Sequence, residues 1–262
     1  MKSLDTISAK QDDVVREMKK YIEPGRAHVL SSFFKTGKGQ YGEGDKFIGV
    51  TVPHTRLVAK KYIDMDLGEV SKLLQNPIHE IRLCALILLS LKVLRLYIKK
   101  GKVAIGSIGE KDIQKNHKGI VDVYLKQMQY VNNWDLVDTS AYHIYGSYLF
   151  LYRKIDMLDV LLKHAKSKNI WERRIAMVST LYIIRTGTSL DIVTKVAEAL
   201  LGDTEDLIHK AVGWMLREAG KKDKKVLIQF LDMHSTKMPR TALRYAIEKL
   251  SEGERRGYMK RV

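Results

Sequence analysis

Residues His79 to Leu89 read HEIRLCALILL, a polar start followed by a small residue and an apolar ridge. The same order returns in WERRIAMVSTLYII (Trp171 to Ile184) and in LIHKAVGWMLRE (Leu207 to Glu218). Apolar residues recur every three or four positions in these stretches, which is the period of a helix with one buried face. Because alternating, strand-like runs are scarce, the sequence predicts an all-α protein.

The helical stretches form a weak internal repeat. Polar breaks followed by a helix start recur at Asn132, Lys168, Gly202 and Met238, and the last three intervals are ~35 residues, the length of one helical hairpin. The small residue in each stretch allows neighbouring helices to approach closely. We expect a superhelix of HEAT-like helical hairpin repeats with a concave face, formed by residues 1–262 as a single domain.

The chain is strongly basic. It has 46 Lys and Arg residues against 30 Asp and Glu residues, which gives a formal net charge of +16 over 262 residues. This surplus favours a polyanionic partner, and nucleic acid is the foremost candidate. An anionic membrane surface and a merely solvated basic surface are the alternatives.

Composition also disfavours several classes of protein. The single cysteine, Cys84, lies in an apolar run and is expected in the core, which fits a reducing compartment. We expect no secretory signal and no membrane span, since no window approaches ~18 uncharged apolar residues. The eight histidines lack metal-binding spacing, so neither a metal nor a cofactor is expected. The expected location is the cytoplasm, in association with the nucleoid.

Two glycine-rich segments interrupt the helical pattern and are expected to be loops. The first, Lys35 to Gly49, contains a literal match to a dinucleotide-binding fingerprint from Gly37 to Gly42. No strand–helix pattern surrounds this match, so a basic loop touching a phosphate backbone is the better interpretation. The second, Lys99 to Asp112, is either an insertion between helices or a short hairpin.

Each of the three tryptophans precedes a charged residue at helical spacing. The pairs are Trp134 with Asp138, Trp171 with Arg174, and Trp214 with Arg217. Residues three or four apart lie on one face of a helix, so each segment places a flat aromatic ring beside a charge.

The segment NNWDLVDTSAYHIYG, residues 132–146, is the strongest candidate site. An asparagine caps the predicted helix, and Asp135 lies in the first turn, where the helix dipole favours an acid; we interpret Asp135 as structural. Asp138 lies one turn further on, where a carboxylate has no capping role. It is either a functional acid or one partner of a structural ion pair, and both interpretations are open.

The other two tryptophan segments are basic. Trp171 and Arg174 either belong to a site or lie on a surface helix with the indole as a packing residue. Gly213 costs ~1 kcal/mol relative to Ala inside a helix, which indicates close approach of a neighbouring helix or of a ligand. Lys210 and Arg244 extend the basic face toward flanking phosphates.

Taken together and in this order, NNWDLVD, IWERR and GWMLRE resemble the AlkD-like DNA alkylation repair family, the HEAT-like-repeat alkylpurine DNA glycosylases. YGEGDKFIGVTVPHTR (residues 41–56) and HEIR (residues 79–82) are also similar to that family, so the resemblance covers nearly the whole chain. It implies a superhelix that holds duplex DNA against a concave, basic face. It also implies excision of cationic N3- and N7-alkylated purines without base flipping.

The resemblance implies a role for each matched residue. Asp138 faces the deoxyribose of the lesion, and Trp134 and Trp214 are the aromatic contacts. Arg174 contacts a backbone phosphate, Arg217 supports the wall formed by Trp214, and Tyr41 reaches the DNA from the N-terminal loop. The segment from Lys99 to Asp112 is longer than the family leads us to expect.

We therefore expect a monofunctional alkylpurine DNA glycosylase that acts as a monomer on double-stranded DNA. The carboxylate stabilises the positive charge that grows on the sugar as the glycosidic bond stretches, and the indole faces attract the cationic base. Two alternatives remain. One is a non-catalytic HEAT-repeat scaffold that binds nucleic acid or a protein partner, and the other is a family member that has lost excision.

Overall fold

The computed structural model of the chain describes residues 9–99, 102–103, 109–186 and 190–260. Within these ranges the protein is almost entirely helical, which confirms the predicted all-α class. Its sheet structure is one short antiparallel hairpin, in which β1 (Ile98–Lys99) pairs with β2 (Lys102–Val103). Contacts divide the chain into two compact units, Met1–Ser140 and Ala141–Val262. The single functional domain expected over the whole chain stays a prediction.

The first unit is built around one buried helix. Its helices are α1 (Gln11–Lys19), α2 (Arg26–Phe33), α3 (Val52–Lys61), α4 (Leu67–Leu74), α5 (His79–Tyr97) and α6 (Glu110–Lys126), followed by a 3-10 turn (Met128–Tyr130) and α7 (Trp134–Ala141), which ends at the boundary of the unit. Every residue of α5 from His79 to Ser90 is buried, and the helix packs against α3, α4 and α6. A helix that is apolar on all sides needs such cover on all sides.

The second unit is built around α13. Its elements are a π-helical turn (Tyr142–Gly146), α8 (Ser147–Tyr152), α9 (Met157–Ala165), α10 (Ile170–Ser179), α11 (Leu181–Thr186), α12 (Asp191–Ala199), α13 (Asp206–Lys222), α14 (Lys224–His234), a 3-10 turn (Ser235–Lys237), α15 (Arg240–Ala246) and α16 (Glu252–Met259). α13 packs against α10, α12, α14 and α15.

The predicted helix starts are confirmed. α7, α10, α13 and α15 each begin shortly after one of the four predicted polar breaks. Consecutive helices also pack as pairs, α4 with α5, α9 with α10, and α12 with α13, as expected for helical hairpin repeats. Local signals explain this success, because a side-chain cap acts only on the turn that follows it. For example, Asn169 Oδ1 accepts a hydrogen bond from the N–H of Trp171 at the start of α10.

The prediction that both glycine-rich segments are loops is correct for the first and only partly correct for the second. The first is a loop as predicted, but a helix (α2) rather than a strand precedes Gly37 to Gly42, so the context of a dinucleotide site is missing. In the second, Lys99 pairs with Lys102 in the hairpin, and α6 begins at Glu110. The prediction that the loop reaches Asp112 is therefore wrong at its end. Residues 100–101 and 104–108 lie outside the described residues.

The lone cysteine lies on α5, which has 19 residues. Cys84 is completely buried among apolar side chains, as predicted, and burial raises the pKa of its thiol to about 12. The sulfur is therefore a protonated, space-filling core atom at neutral pH. Even so, neither α5 nor any other described helix combines the length and the apolar character that crossing a membrane requires.

Two glycines of the second unit lie where a neighbouring element leaves no room for a Cβ atom. A Cβ atom on Gly213 would overlap the carbonyl oxygen of Ala242 and the Cβ of Tyr245 on α15. A Cβ atom on Gly146, in the π-helical turn, would overlap the carbonyl oxygen of Ser179. The close approach predicted at Gly213 is therefore made by a neighbouring helix rather than by a ligand.

We expect Gly213→Ala to lower the free energy of unfolding by about 1–3 kcal/mol, because overpacking against α15 outweighs the gain in helix propensity. Gly257 lies inside α16 with open space at its Cβ position, so it is the matched control. Gly257→Ala should stabilise the protein by up to about 1 kcal/mol. Urea unfolding followed by circular dichroism measures both values. A Gly213→Ala variant as stable as the wild type would contradict this packing.

Candidate functional site

α7 carries two of the three predicted catalytic residues, Trp134 and Asp138, one helical turn apart. The residue before the helix, Asn133, is completely buried, and its Oδ1 accepts a hydrogen bond from the N–H of Trp134 at 2.8 Å. Its Nδ2 donates to Oδ2 of Asp45 at 3.0 Å. An asparagine therefore stands directly before α7, as predicted, although its side chain bonds the first N–H of the helix rather than one further in. The same residue ties the start of α7 to the glycine-rich loop.

The indole of Trp134 is held in place by three aromatic residues. Phe34 stacks on it with ring centroids 5.3 Å apart, and Phe33 meets it edge-on at 6.0 Å. Nε1 of the indole donates to the hydroxyl of Tyr41 at 3.3 Å. These four residues form what we call the Trp134 wall. Since Trp134 remains partly exposed, the wall offers a preorganised aromatic surface to a flat or cationic ligand.

Tyr41 supports the Trp134 wall from the glycine-rich loop. Besides accepting from the indole, its hydroxyl contacts the carbonyl oxygen of Phe33 at 3.5 Å. Tyr41 is partly exposed, and Phe33 beside it is 61% exposed. The direct DNA contact predicted for Tyr41 stays a prediction, but the structure gives this residue a supporting role.

The two carboxylates of α7 have different environments. Asp138 is partly exposed one turn after Trp134. Asp135 is a structural residue, as predicted, because its Oδ2 lies 2.8 Å from Nε2 of His79 at the start of α5. This leaves Asp138 as the candidate functional acid of α7.

His79 lies between two carboxylates. Its Nε2 faces Asp135, and its Nδ1 lies 3.0 Å from Oδ2 of Asp45. Because both ring nitrogens face acceptors, both must donate, and the ring is an imidazolium. Burial alone lowers the pKa of His79, but the charge and hydrogen bond of Asp135, together with those of Asp45, outweigh burial and raise the pKa to about 9.

Arg82 completes a balanced buried set with His79, Asp45 and Asp135, which we call the His79 network. Its guanidinium donates to Oδ1 of Asp45, to Oδ1 of Asn132 and to a carbonyl oxygen before α5. Burial raises the pKa of Asp45. The hydrogen bond from His79 and the charge of Arg82 lower this pKa by more than burial raises it, so it falls below its usual range. Buried ions persist here because each has an opposite charge within hydrogen-bond reach.

The side chain of Glu80 binds the backbone of the glycine-rich loop. Its carboxylate accepts hydrogen bonds from the N–H groups of Ile48, Gly49 and Val50, at 3.1, 2.8 and 3.3 Å from Oε1. The polar residues of the HEIR motif are therefore structural, a role that the sequence pattern did not predict. One signal was available, since ionisable residues in the first turn of an otherwise apolar helix are buried with it and need partners.

The second tryptophan segment is buried. Trp171 is 8% exposed, so the indole is a packing residue as one alternative had it, but Arg174 is 5% exposed and does not lie on a basic surface. Arg174 donates to the carbonyl oxygen of Leu207 on α13, and Arg173 pairs with Asp203 at 2.6 Å. The phosphate contact implied for Arg174 stays a prediction, and only the small exposed part of its side chain is available for it.

Trp214 lies partly exposed at the wall of an open cleft of about 550 Å³ in the second unit, which we call the Trp214 cleft. The other residues that line it are Leu181, Ile184, Arg185, Glu218, Lys221 and Lys222. One aromatic ring, three cations and one carboxylate form a lining suited to nucleic acid, which combines flat bases with anionic phosphates.

The remaining predicted DNA-binding residues lie elsewhere in the second unit. Arg217 pairs with Glu248 and, at 3.3 Å, with the adjacent Glu218. Lys210 and Arg244 together line a different cleft of about 900 Å³ near the C-terminus. Lys210 pairs with an aspartate at 2.8 Å, whereas Arg244 is exposed.

The predicted residues thus fall into groups within each unit. In the first unit, Trp134 is hydrogen-bonded to Tyr41 and lies on the same helix as Asp138. In the second unit, Lys210 and Arg244 line the same cleft. Nowhere in the described ranges do three or more His, Cys, Asp or Glu side chains form a group able to hold a metal ion.

The family model of DNA alkylation repair enzymes matches residues 14–250 of the chain. The chain belongs to this family. Membership confirms the resemblance drawn from the tryptophan motifs, and it connects the protein with the repair of alkylation damage and with DNA as substrate. No protein of curated function matches this chain significantly in sequence.

A solved structure described as a predicted DNA alkylation repair enzyme from Enterococcus faecalis is similar to this family member. The TM-score is 0.62 and the sequence identity is 18%, and the match covers 88% of this chain and 97% of the other. At this level of identity, the similarity shows a common fold.

The raised pKa of His79 makes stability depend on pH. The folded value of about 9 exceeds the ordinary value of 6.5, so protonation stabilises the fold fully below about pH 6.5 and this contribution is lost as the pH rises through 9. We expect His79→Gln to be less stable than the wild type by a few kcal/mol near neutral pH, with the difference narrowing in alkali. Urea unfolding at successive pH values measures it.

The control is His28→Gln, on the exposed surface of α2. This variant should follow the wild type at every pH. A difference between wild type and His79→Gln that stays constant from acid to alkali would show that the charge of His79 does not stabilise the fold.

Proposed function

We propose that this protein is a monofunctional DNA glycosylase that hydrolyses the N-glycosidic bond of cationic N3- and N7-alkylated purines in duplex DNA. The observation that carries the proposal is the pairing on α7 of a fixed, partly exposed indole, Trp134, with a partly exposed carboxylate, Asp138. Membership of the DNA alkylation repair family and the formal net charge of +16 support it.

The reaction suits a site with one carboxylate and no strong general acid. An alkylated purine already carries positive charge, so it leaves as a neutral base when the bond between N9 and C1′ breaks. Positive charge then develops on the sugar, and the carboxylate of Asp138 stabilises it electrostatically. A water molecule adds to C1′ and releases one proton, which the same carboxylate accepts on its way to solvent.

The indoles favour the damaged base over normal ones. A cation over an indole face gains ~0.5–2 kcal/mol, depending on desolvation, and this attraction is lost when the base is neutral. That range corresponds to roughly 2- to 30-fold in binding per ring. The rest of the selectivity comes from the weak glycosidic bond of the cationic nucleotide. We assign these contacts to Trp134 and Trp214.

Phosphate contacts come from cations that line an open cleft. Arg244 is exposed there, and Lys210 is partly exposed and paired with Asp206. Arg217 must exchange its pairing with Glu248, but a pair with a partly exposed glutamate is worth only about 0–1 kcal/mol, so a DNA phosphate competes with it. Such contacts fix the register of the protein on DNA without reading its sequence. We propose a monomer that acts on chromosomal DNA in the cytoplasm.

We expect Asp138→Asn to lower the rate of base release by about 10²–10³-fold, the usual loss when an electrostatic transition-state group is removed. DNA affinity should stay close to the wild-type value, since a carboxylate does not attract phosphate. The measurement is release of 7-methylguanine from methylated duplex DNA under single-turnover conditions, with DNA binding measured in parallel.

Two aspartates serve as comparisons. Asp159→Asn, on the exposed face of α9, should leave both stability and release unchanged. Asp135→Asn should lower stability through the His79 network and reduce release only in proportion to the folded fraction. Unchanged release by Asp138→Asn would overturn the assignment of this residue, and a wild type that releases no base would leave a DNA-binding module.

A further inference from the structure

The Trp214 cleft contains a cation that the proposed reaction does not use. Arg185, near the end of α11, is exposed, and its guanidinium carbon lies 4.5 Å from the ring centroid of Tyr142. Within the described part of the chain, this guanidinium has no carboxylate partner and no hydrogen-bond acceptor. Its N–H donors are therefore available to a ligand in the cleft.

The ring of Tyr142 restrains Arg185. A guanidinium that stacks on an aromatic face gains cation–π attraction and loses part of its side-chain freedom, while its N–H groups point outward in the plane of the fork. Because the side chain of Arg185 is already restrained, it loses less rotational freedom when it forms a bidentate contact with a ligand. Tyr142 is thus a positioning residue, because it acts on a ligand only through Arg185.

The charges of the cleft leave a positive surplus beside Trp214. Glu218 is already paired twice, with Lys221 at 2.8 Å and with Arg217 at 3.3 Å. Lys222 lines the cleft and is exposed, and like Arg185 it forms no ion pair with any residue that the structure describes. Two exposed cations without an ion pair among the described residues, next to an accessible indole, favour an anionic ligand.

We propose that the Trp214 cleft binds a backbone phosphate of the DNA strand, with Arg185 as the bidentate donor and Lys222 as a second cation. A phosphodiester presents two oxygens to a planar fork, which is the geometry that arginine matches best. The adjacent indole of Trp214 packs against the sugar or base of the same nucleotide. The inference rests on the proposed function for its ligand, DNA.

The test is the salt dependence of binding to an undamaged duplex, followed by fluorescence anisotropy. Arg185→Ala should weaken binding on the order of tenfold at low salt. It should also make the slope of log affinity against log salt shallower by about 0.9, the value for one phosphate contact on duplex DNA. Arg153→Ala is the matched control, because Arg153 is an exposed arginine of the same unit that pairs with Asp156.

Tyr142 is tested by two substitutions. Tyr142→Leu should weaken binding by roughly two- to fivefold without changing the salt slope, because Arg185 keeps its charge. Tyr142→Phe keeps the ring and should bind like the wild type. In an Arg185→Ala background, Tyr142→Leu should not weaken DNA binding any further. If Tyr142 has only a structural role, the double variant should bind DNA more weakly than Arg185→Ala alone.

The outcomes separate this inference from the proposed function. If Arg185→Ala and Arg153→Ala give the same affinity and slope, the phosphate site is overturned. Inorganic phosphate at constant ionic strength should displace DNA from the wild type more readily than from Arg185→Ala, because it competes for the same guanidinium. If the wild type binds inorganic phosphate through Arg185 while Arg185→Ala leaves DNA binding unchanged, the cleft is a site for free phosphate and the inference is overturned. Binding to undamaged DNA needs no excision, so a wild type that binds with the expected slope but releases no 7-methylguanine fails only the proposed function.

Discussion

The imidazolium of His79, enclosed between Asp45 and Asp135, joins three segments that are far apart in the sequence. A buried ion is tolerated only when its partners stay within hydrogen-bond distance, so the glycine-rich loop and the starts of α5 and α7 cannot move independently. The ring of Phe34 contacts both His79 and Trp134, at 5.0 and 5.3 Å between centroids. The partly exposed indole is therefore positioned by a largely buried charge network.

The helical architecture was largely predictable, because its signals are local. Polar breaks, prolines and asparagine caps act on the turn beside them, and α7, α10, α13 and α15 begin where those signals lie. The prediction failed in the segment from Lys99 to Asp112, where Glu110 already belongs to α6. A glycine precedes this helix without a side-chain cap, so its start carries no strong local signal.

The candidate site was predictable only in part, for a related reason. Trp134 and Asp138 share one helix, so their spacing alone places them together. The burial of Arg174 and the pairing of Arg217 with Glu248 depend on contacts between distant residues, which a periodic pattern does not encode. Arg185 was missed for the same reason, since its value lies in its contact with Tyr142.

The burial of Cys84 bears on how such a protein survives where it works. Electrophiles that methylate purines also methylate thiolates, and a cysteine thiol reacts readily only when it is deprotonated and accessible. The single sulfhydryl of this chain is enclosed inside α5 and keeps its proton up to a pH of about 12. This thiol is thus shielded from alkylation, and its buried, protonated state does not suit it to accept a methyl group from DNA.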